Sequence, residues 1–189
     1  MKFRSFIAIN LPEEIKKHLL VLLEELKKKN REPLIKWVRP EGLHLTLHFL
    51  GYQEEGVLER VGECVGRKVR ELHLGQNIPK LFITELGAFP SFNRPRVLFI
   101  GCREEGDKNL IKKLQKELGE ELEPLGIEVD KREWQMHITL ARLKAPVKIQ
   151  MVKLNVQNLS FEVKSIDLMK SELTPFGARY SVLKSFKLR

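Results

Sequence analysis

A tetrad of alternating character occurs twice in this chain, as His44-Leu45-Thr46-Leu47 in the first third and His137-Ile138-Thr139-Leu140 in the last. Side chains on an extended strand alternate between its two faces. Each copy therefore presents a histidine and a threonine on one face and commits two aliphatic residues to a core on the other. Two such strands set together require a sheet with one buried face. They also bound a cleft that carries two imidazoles and two hydroxyls.

The segments around the tetrads share an order. Phe6 to Ile9 reads as a strand. Leu11-Pro12-Glu13-Glu14 opens a helix, with proline and acid where free backbone N–H groups favour them. Ile15, Leu19, Leu22, Leu23 and Leu26 follow at helical spacing, and Lys27 to Lys29 suit the C-terminal end of the dipole. Lys36 to Val38 reads as a short strand and Arg39-Pro40-Glu41-Gly42 as a turn. The first tetrad strand then runs to Gly51. A second helix is expected over Glu54 to Leu72 with Val57, Val61, Val65 and Val69 on one stripe, and a strand over Ile78 to Leu86.

The second half opens with a strand at Arg96 to Gly101. A helix from about Asp107 to Leu122 turns Leu110, Leu114 and Leu118 inward. Gly126 to Val129 reads as a turn and short strand, and the second tetrad strand follows. A short helix is expected around Val147 to Leu154. Closing strands are expected at Phe161 to Met169 and Arg179 to Phe186, joined by a turn at Thr174-Pro175-Phe176-Gly177. Phe6 and His44 are 38 residues apart, as are Phe99 and His137. This parallel suggests an internal duplication. It predicts an α+β, bilobed, pseudo-two-fold fold, with each lobe an antiparallel-rich sheet backed by helices and a central groove between them. The whole of 1–189 is expected to be one domain, with lobes drawn approximately from 1–92 and 93–189 and with terminal strands open to exchange.

A chain of 189 residues buries a sufficient core without disulfides or a structural metal. Cys64 and Cys102 lie far apart without ligand spacing and read as small buried hydrophobes. The apolar run at the N-terminus is too short for a signal peptide. No window approaches eighteen apolar residues, so no membrane span is expected. The expectation is a cytoplasmic, soluble monomer, and the abundance of Lys and Glu leans towards a heat-adapted source. A formal net charge of +9 favours an anionic partner, with nucleic acid first.

The paired histidines suit phosphoryl transfer to water or to a neighbouring hydroxyl. Imidazole titrates near neutrality, at about 6.5 when unperturbed. One ring, neutral, can deprotonate the attacking water while the other, protonated, serves the departing oxygen. Thr46 and Thr139 can donate to the non-bridging oxygens, which stabilises charge there without a metal. A zinc reading fails on spacing, because His44 and His48 on one strand are roughly 13 Å apart. No cofactor and no metal are expected. His48 shares the face of His44 and Thr46 under strict alternation, which makes it a candidate substrate contact or a solvated residue at the strand end. Alternation puts Arg142 opposite His137, so it reaches an anion only if the strand twists, bulges or ends there. Lys36, Arg39, Arg94 and Arg96 sit near strand ends where they can line a phosphate track. Trp37, Phe49, Phe89, Phe92 and Trp134 are candidate stacking faces for a base, with Phe89, Phe92 and Trp134 favoured by their polar or turn-like contexts.

These residues, with their surroundings, resemble the RNA 2′,3′-cyclic phosphodiesterases, also described as bacterial and archaeal 2′-5′ RNA ligases, of the two-histidine phosphoesterase superfamily. The matching segments are Arg4 to Ile9 with Leu11-Pro12, Trp37-Val38, Leu43 to Gly51, Gly87 to Pro90, Pro95 to Phe99, His137 to Arg142, and Leu168 to Leu173 with Gly177 and Tyr180. The resemblance implies metal-independent opening of a terminal 2′,3′-cyclic phosphate to a 2′-phosphate, and a reversible 2′-5′ joining activity. It implies His44 as general acid for the 3′ oxygen, His137 as general base, and Thr46, Thr139 and Arg142 on the phosphate. The implied partner is RNA with a cyclic phosphate end, tRNA halves among the candidates. Two positions depart from the pattern: Met136 replaces a frequent proline, and His48 a frequent lysine or arginine. Two competing readings are a phosphodiesterase for small cyclic nucleotides and a non-catalytic protein that grips RNA ends.

Overall fold

The computed structural model describes residues 1–152, 159–174 and 177–188. Strand β1 (Lys2–Asn10) leads into helix α1 (Glu13–Lys29), then β2 (Ile35–Trp37), a 3-10 turn at Pro40–Gly42, β3 (His44–Glu54) and α2 (Glu55–Glu71). The chain continues through β4 (Lys80–Phe89), β5 (Val97–Glu104), α3 (Leu110–Leu122), β6 (His137–Leu143), β7 (Ser160–Glu162), β8 (Ser165–Thr174) and β9 (Gly177–Lys187). Helix α1 begins after Pro12 with Glu13 and Glu14 in its first turn and ends on three lysines, so both ends complement the dipole. Its predicted stripe of Ile15, Leu19, Leu22, Leu23 and Leu26 is buried.

The strands form one antiparallel sheet in the order β7-β4-β5-β6-β3-β1-β8-β9, with β2 added beside β6. Its two halves meet at β3 and β6 through a single Cα pair, Leu45 with Ile138. The sheet is therefore continuous in order but narrow at the waist, as a bilobed fold requires. Strand β4, from the first half of the sequence, pairs with β5 and β7. Strand β8, from the second half, pairs with β1 and β9. Asp167 on β8 is 3% exposed. Asn10, Ser165 and Ser185 satisfy its carboxylate at 2.7, 3.0 and 2.5 Å, which ties β1, β8 and β9 together.

Four sequence expectations change. Helix α3 starts at Leu110 rather than Asp107, because the Glu104 carboxylate takes the N–H groups of Leu110 and Ile111, each at 2.9 Å. No strand forms over 126–129: Gly126 turns the chain at φ +78° and Ile127 drops into the core. The helix expected around Val147 to Leu154 is absent over 147–152, and its remaining residues lie outside the described ones. There the buried Asn30 amide bonds both the carbonyl (2.9 Å) and the N–H (2.7 Å) of Gln150, which holds that backbone against α1. The strand expected over Phe161 to Met169 is two strands, since the chain passes from β4 to β1 between Glu162 and Ser165. The turn expected around Pro175-Phe176 lies outside the described residues. The first half thus realises the full predicted order, whereas the second, over its described residues, lacks its short strand and second helix. Both cysteines are unpaired, and burial pushes the Cys102 thiol up to about 12.

Candidate active site

The two tetrad strands lie side by side. Continuing their register one residue either way from Leu45 and Ile138 sets His44 across from Thr139 and Thr46 across from His137. Leu45, Leu47, Ile138 and Leu140 are buried, while the histidines and threonines are half-buried on the other face. Both strands then break alternation at the same step. On β3, Thr46 pairs with Ala8 and His48 with Ile7, which leaves Leu47 as the extra residue of a β-bulge. On β6, Thr139 pairs with Phe99 and Ala141 with Leu98, which leaves Leu140 extra. A bulge re-aims every side chain beyond it. The sequences His44–Leu50 and His137–Leu143 consequently share one burial pattern, with the sixth residue exposed in each: Phe49 and Arg142.

The bulge decides two candidate residues. Arg142 comes back to the face of His137 and Thr139, and its charge lowers the pKa of both His44 and His137. His48 goes the other way, and the expectation that it faces the cleft or solvent is corrected. It is 5% exposed, and its Nε2–H donates to the Gln115 carbonyl on α3 at 2.6 Å. Gly119 on the same helix leaves room for the ring, since a Cβ there would stand 3.2 Å from His48 Cε1.

Each cleft histidine is enclosed by two aromatic rings. Phe6 stacks on His44 at 4.8 Å, and Tyr180 meets the same imidazole edge-on at 5.3 Å. Phe89 meets His137 edge-on at 5.0 Å, and Phe99 lies tilted at 5.2 Å. A Cβ on Gly87 would fall 2.2 Å from the Phe99 ring, so only glycine lets that ring cross β4. The equal 38-residue spacings do not mark matched positions. Phe99 pairs with Thr139 as Ala8 pairs with Thr46, whereas Phe6 pairs with Phe49. The aromatic contact recurs from neighbouring register positions.

The imidazoles differ in their hydrogen bonds. His137 Nδ1 lies 2.7 Å from the Gln135 carbonyl. A carbonyl can only accept, so Nδ1 carries the hydrogen and Nε2 keeps its lone pair. His44 Nδ1 is buried with no hydrogen-bond partner among the described residues. Burial, reinforced by the charges of Arg142 and Lys16, lowers His44 to about 4. Burial also lowers His137, opposed by its bond to Gln135 and aided by Arg142.

The remaining candidates spread along the cleft and beyond it. Lys36 on β2 is the Cα partner of Arg142 and is exposed beside it. Arg39 precedes the 3-10 turn and lies against Gly177 at the start of β9. The Arg96 guanidinium is exposed and donates to the Lys144 carbonyl at 2.7 Å. Trp134 is half-buried and donates from Nε1 to the Thr46 carbonyl at 3.2 Å, which ties its ring edge to β3. Phe92 is 44% exposed in the loop between β4 and β5. Among the described residues no three of His, Cys, Asp or Glu gather as a metal-ligand set, and no helix is long and apolar enough to cross a membrane.

The family profile described as LigT like Phosphoesterase matches residues 9–99 and 101–180. The chain belongs to the LigT-like phosphoesterases. Among relatives, the RNA 2′,3′-cyclic phosphodiesterase of Methanocaldococcus jannaschii is 33% identical over 189 residues, 97% of this chain and 99% of its own. That of Thermotoga maritima is 35% identical over 187 residues, 95% of this chain and 92% of its own. A crystal structure from Thermus thermophilus covers 98% of each chain at 32% identity with a TM-score of 0.72. Escherichia coli LigT complexed with 3′-AMP shares the fold, at a TM-score of 0.78 and 24% identity over 99% of this chain and 98% of its own.

In LigT-like terms the site is a pair of matched strands that each offer a histidine, a threonine and one exposed sixth residue. Such a cleft has one imidazole with its acceptor fixed, a second available to protonate, two hydroxyl donors and a guanidinium. Those are the parts for displacement at phosphorus. Phe49, one of the less favoured stacking candidates in the sequence, is 59% exposed on the site face, 6.3 Å from Phe6. Aligning the two tetrads over six residues rather than four would have marked it as the counterpart of Arg142.

Proposed function

We propose that this protein opens RNA terminal 2′,3′-cyclic phosphates to 2′-phosphates by acid-base catalysis between His44 and His137, without a metal. The observation that carries this reading is the side-by-side pairing of the two tetrad strands, with His137 fixed as the tautomer whose Nε2 can accept a proton. Water loses a proton to His137 Nε2 as its oxygen bonds to phosphorus. The bond from phosphorus to the 3′ oxygen breaks, and His44 delivers a proton to that oxygen. Thr46, Thr139 and Arg142 hold the non-bridging oxygens and stabilise the charge gathered there. Phe49 offers a stacking face for the terminal base, and Lys36 a cation for a further phosphate.

His44 is neutral near pH 7 before substrate binds, because burial and two cations disfavour its charged form. The anionic cyclic phosphate reverses that balance. It offsets the field of Arg142 and favours the imidazolium, so the acid is charged when substrate arrives. The relatives' shared activity on RNA 2′,3′-cyclic phosphates supports the substrate. With a 5′-hydroxyl in the place of water, the same groups would join that strand to the cyclic end: His137 takes the hydroxyl proton as its oxygen bonds to phosphorus, the bond to the 3′ oxygen breaks, and His44 protonates that oxygen, with tRNA halves as natural candidates. The chain would act as one monomeric, cytoplasmic domain whose two lobes exchange β4 and the β8–β9 hairpin.

The deciding experiment incubates metal-stripped protein with an RNA bearing a 2′,3′-cyclic end and determines which hydroxyl keeps the phosphate. Retention at the 2′ position, lost in His44→Ala and His137→Ala, is the expected result. A 3′-phosphate product, or activity only after metal is restored, would overturn it. Binding without turnover by the wild type would leave an RNA-end-binding protein instead.

A further inference from the structure

On the far side of His137 from His44, strand β5 carries an arginine that the reaction above does not use. Gly101 is the Cα partner of His137, and Arg103 follows two residues along. Residues two apart share a face, so Arg103 projects on the side of the sheet that holds the cleft. Two residues of strand rise and one strand spacing put its Cα roughly 8 Å from that of His137. The Arg103 side chain is organised. Its Cα partner on β4 is Phe82, and its Cζ lies 4.4 Å from the Phe82 ring centroid. Lys80 packs on the same ring at 5.1 Å, with its ammonium paired to Glu105 at 3.3 Å.

Neighbouring cations are occupied. Lys80 has Glu105, Arg96 has the Lys144 carbonyl, and Arg142 sits beside the reacting groups. Arg103 is exposed, with its guanidinium carbon over the Phe82 ring. A guanidinium laid on an aromatic ring has lost much of its side-chain freedom, and its edge stays open to two oxygens at once. That is a poor arrangement for a merely solvated charge and a good one for a phosphodiester.

We propose that Arg103, seated on Phe82, is a second phosphate subsite that holds an RNA phosphodiester about one nucleotide from the reacting phosphorus. The inference rests on the reading of His137 as the base, since that makes the Arg103 side the one from which a nucleophile approaches. The phosphodiester has two possible sources: the substrate strand upstream of its cyclic end, or a second strand that brings a 5′-hydroxyl.

The test compares wild type with Arg103→Ala and Arg103→Lys in three measurements. With a cyclic mononucleotide all three proteins should turn over within about twofold, which also reports that the fold is intact. With a cyclic-ended trinucleotide, a subsite for the upstream strand makes kcat/KM rise in the wild type and fall about tenfold in Arg103→Ala. With a 5′-hydroxyl dinucleotide as competitor, a second-strand subsite makes inhibition about tenfold weaker in Arg103→Ala. Arg103→Lys should fall between, since it keeps charge without the planar stack. In whichever measurement responds, the slope of log affinity against log salt should shrink by about 0.7, as expected for one lost contact to a single strand. The proposal is overturned if Arg103→Ala matches wild type with both the trinucleotide and the dinucleotide. It is equally overturned if the mononucleotide rate falls as far as the others, which would put Arg103 on the reacting phosphate. Failure of the wild type on the mononucleotide would instead strike the proposed activity, and competition between oligonucleotides for the protein would still read Arg103.

Discussion

Phe49 and Arg142 occupy the same position of two matched strands, each exposed on the cleft face just past a bulge. One lobe thus supplies an aromatic face and the other a guanidinium. The symmetry of the backbone presents two different chemistries on one cleft face, which under the proposed function would meet the two ends of one nucleotide.

That division makes their losses separable. Arg142→Ala should lower turnover by about a hundredfold or more with any cyclic phosphate, because a donor to developing charge usually contributes that much. Phe49→Ala should chiefly raise KM, by about tenfold, since stacking a base on an aromatic ring is worth about 1–3 kcal/mol. The check is a cyclic phosphate on a ribose without a base. Phe49→Ala should be indistinguishable from wild type on it, and a persistent defect there would mean that the ring supports the histidines instead.

Thr46→Ala and Thr139→Ala should each lower kcat by roughly tenfold to a few hundredfold with little change in KM, as expected for hydroxyls that bond more strongly as charge builds on phosphorus. Steady-state kinetics on a cyclic mononucleotide reads this directly. Unchanged kcat in both variants would mean that neither hydroxyl touches the phosphate.

The alternation of the tetrads and the leucine stripe of α1 were legible because each depends on local period. The bulges were not, because an extra residue is defined only against a partner strand. That single cause moved two residues in opposite senses, bringing Arg142 into the cleft and sending His48 into the core. The missing helix after β6 has a similar origin, since its backbone is claimed by Asn30, 120 residues away. Arg103 had no periodic signal; only the pairing of β5 with β4 and β6 gives it meaning.

His48→Ala should therefore act on stability rather than on chemistry. It empties a buried site against Gly119 and removes the bond to Gln115, a loss of about 2–4 kcal/mol by the usual cost of a cavity plus a buried hydrogen bond. Urea unfolding should show the shift, while the folded fraction at moderate temperature keeps kcat within a few fold. A collapse in kcat with an unchanged unfolding midpoint would return His48 to the substrate contacts.

The depressed pKa of His44 ties stability to pH with a definite sign. The unfolded chain takes up a proton at this residue as pH falls through about 6.5, whereas the folded one waits until about 4. Between those values the unfolded state binds more protons, so the contribution is fully present above pH 6.5 and is lost as pH drops to about 4. A shift of this size corresponds to about 3 kcal/mol at most. His137 and His48 are lowered in the same direction and add to the slope. Unfolding free energies measured from pH 8 to pH 4 should fall steeply in the wild type and less steeply in His44→Ala. Saturating inorganic phosphate should flatten the wild-type slope as well, because an anion in the cleft favours the imidazolium of the folded state. Parallel pH profiles for wild type and His44→Ala would mean that this ring is not held neutral by its surroundings, and the account of how substrate charges the acid would fall with it.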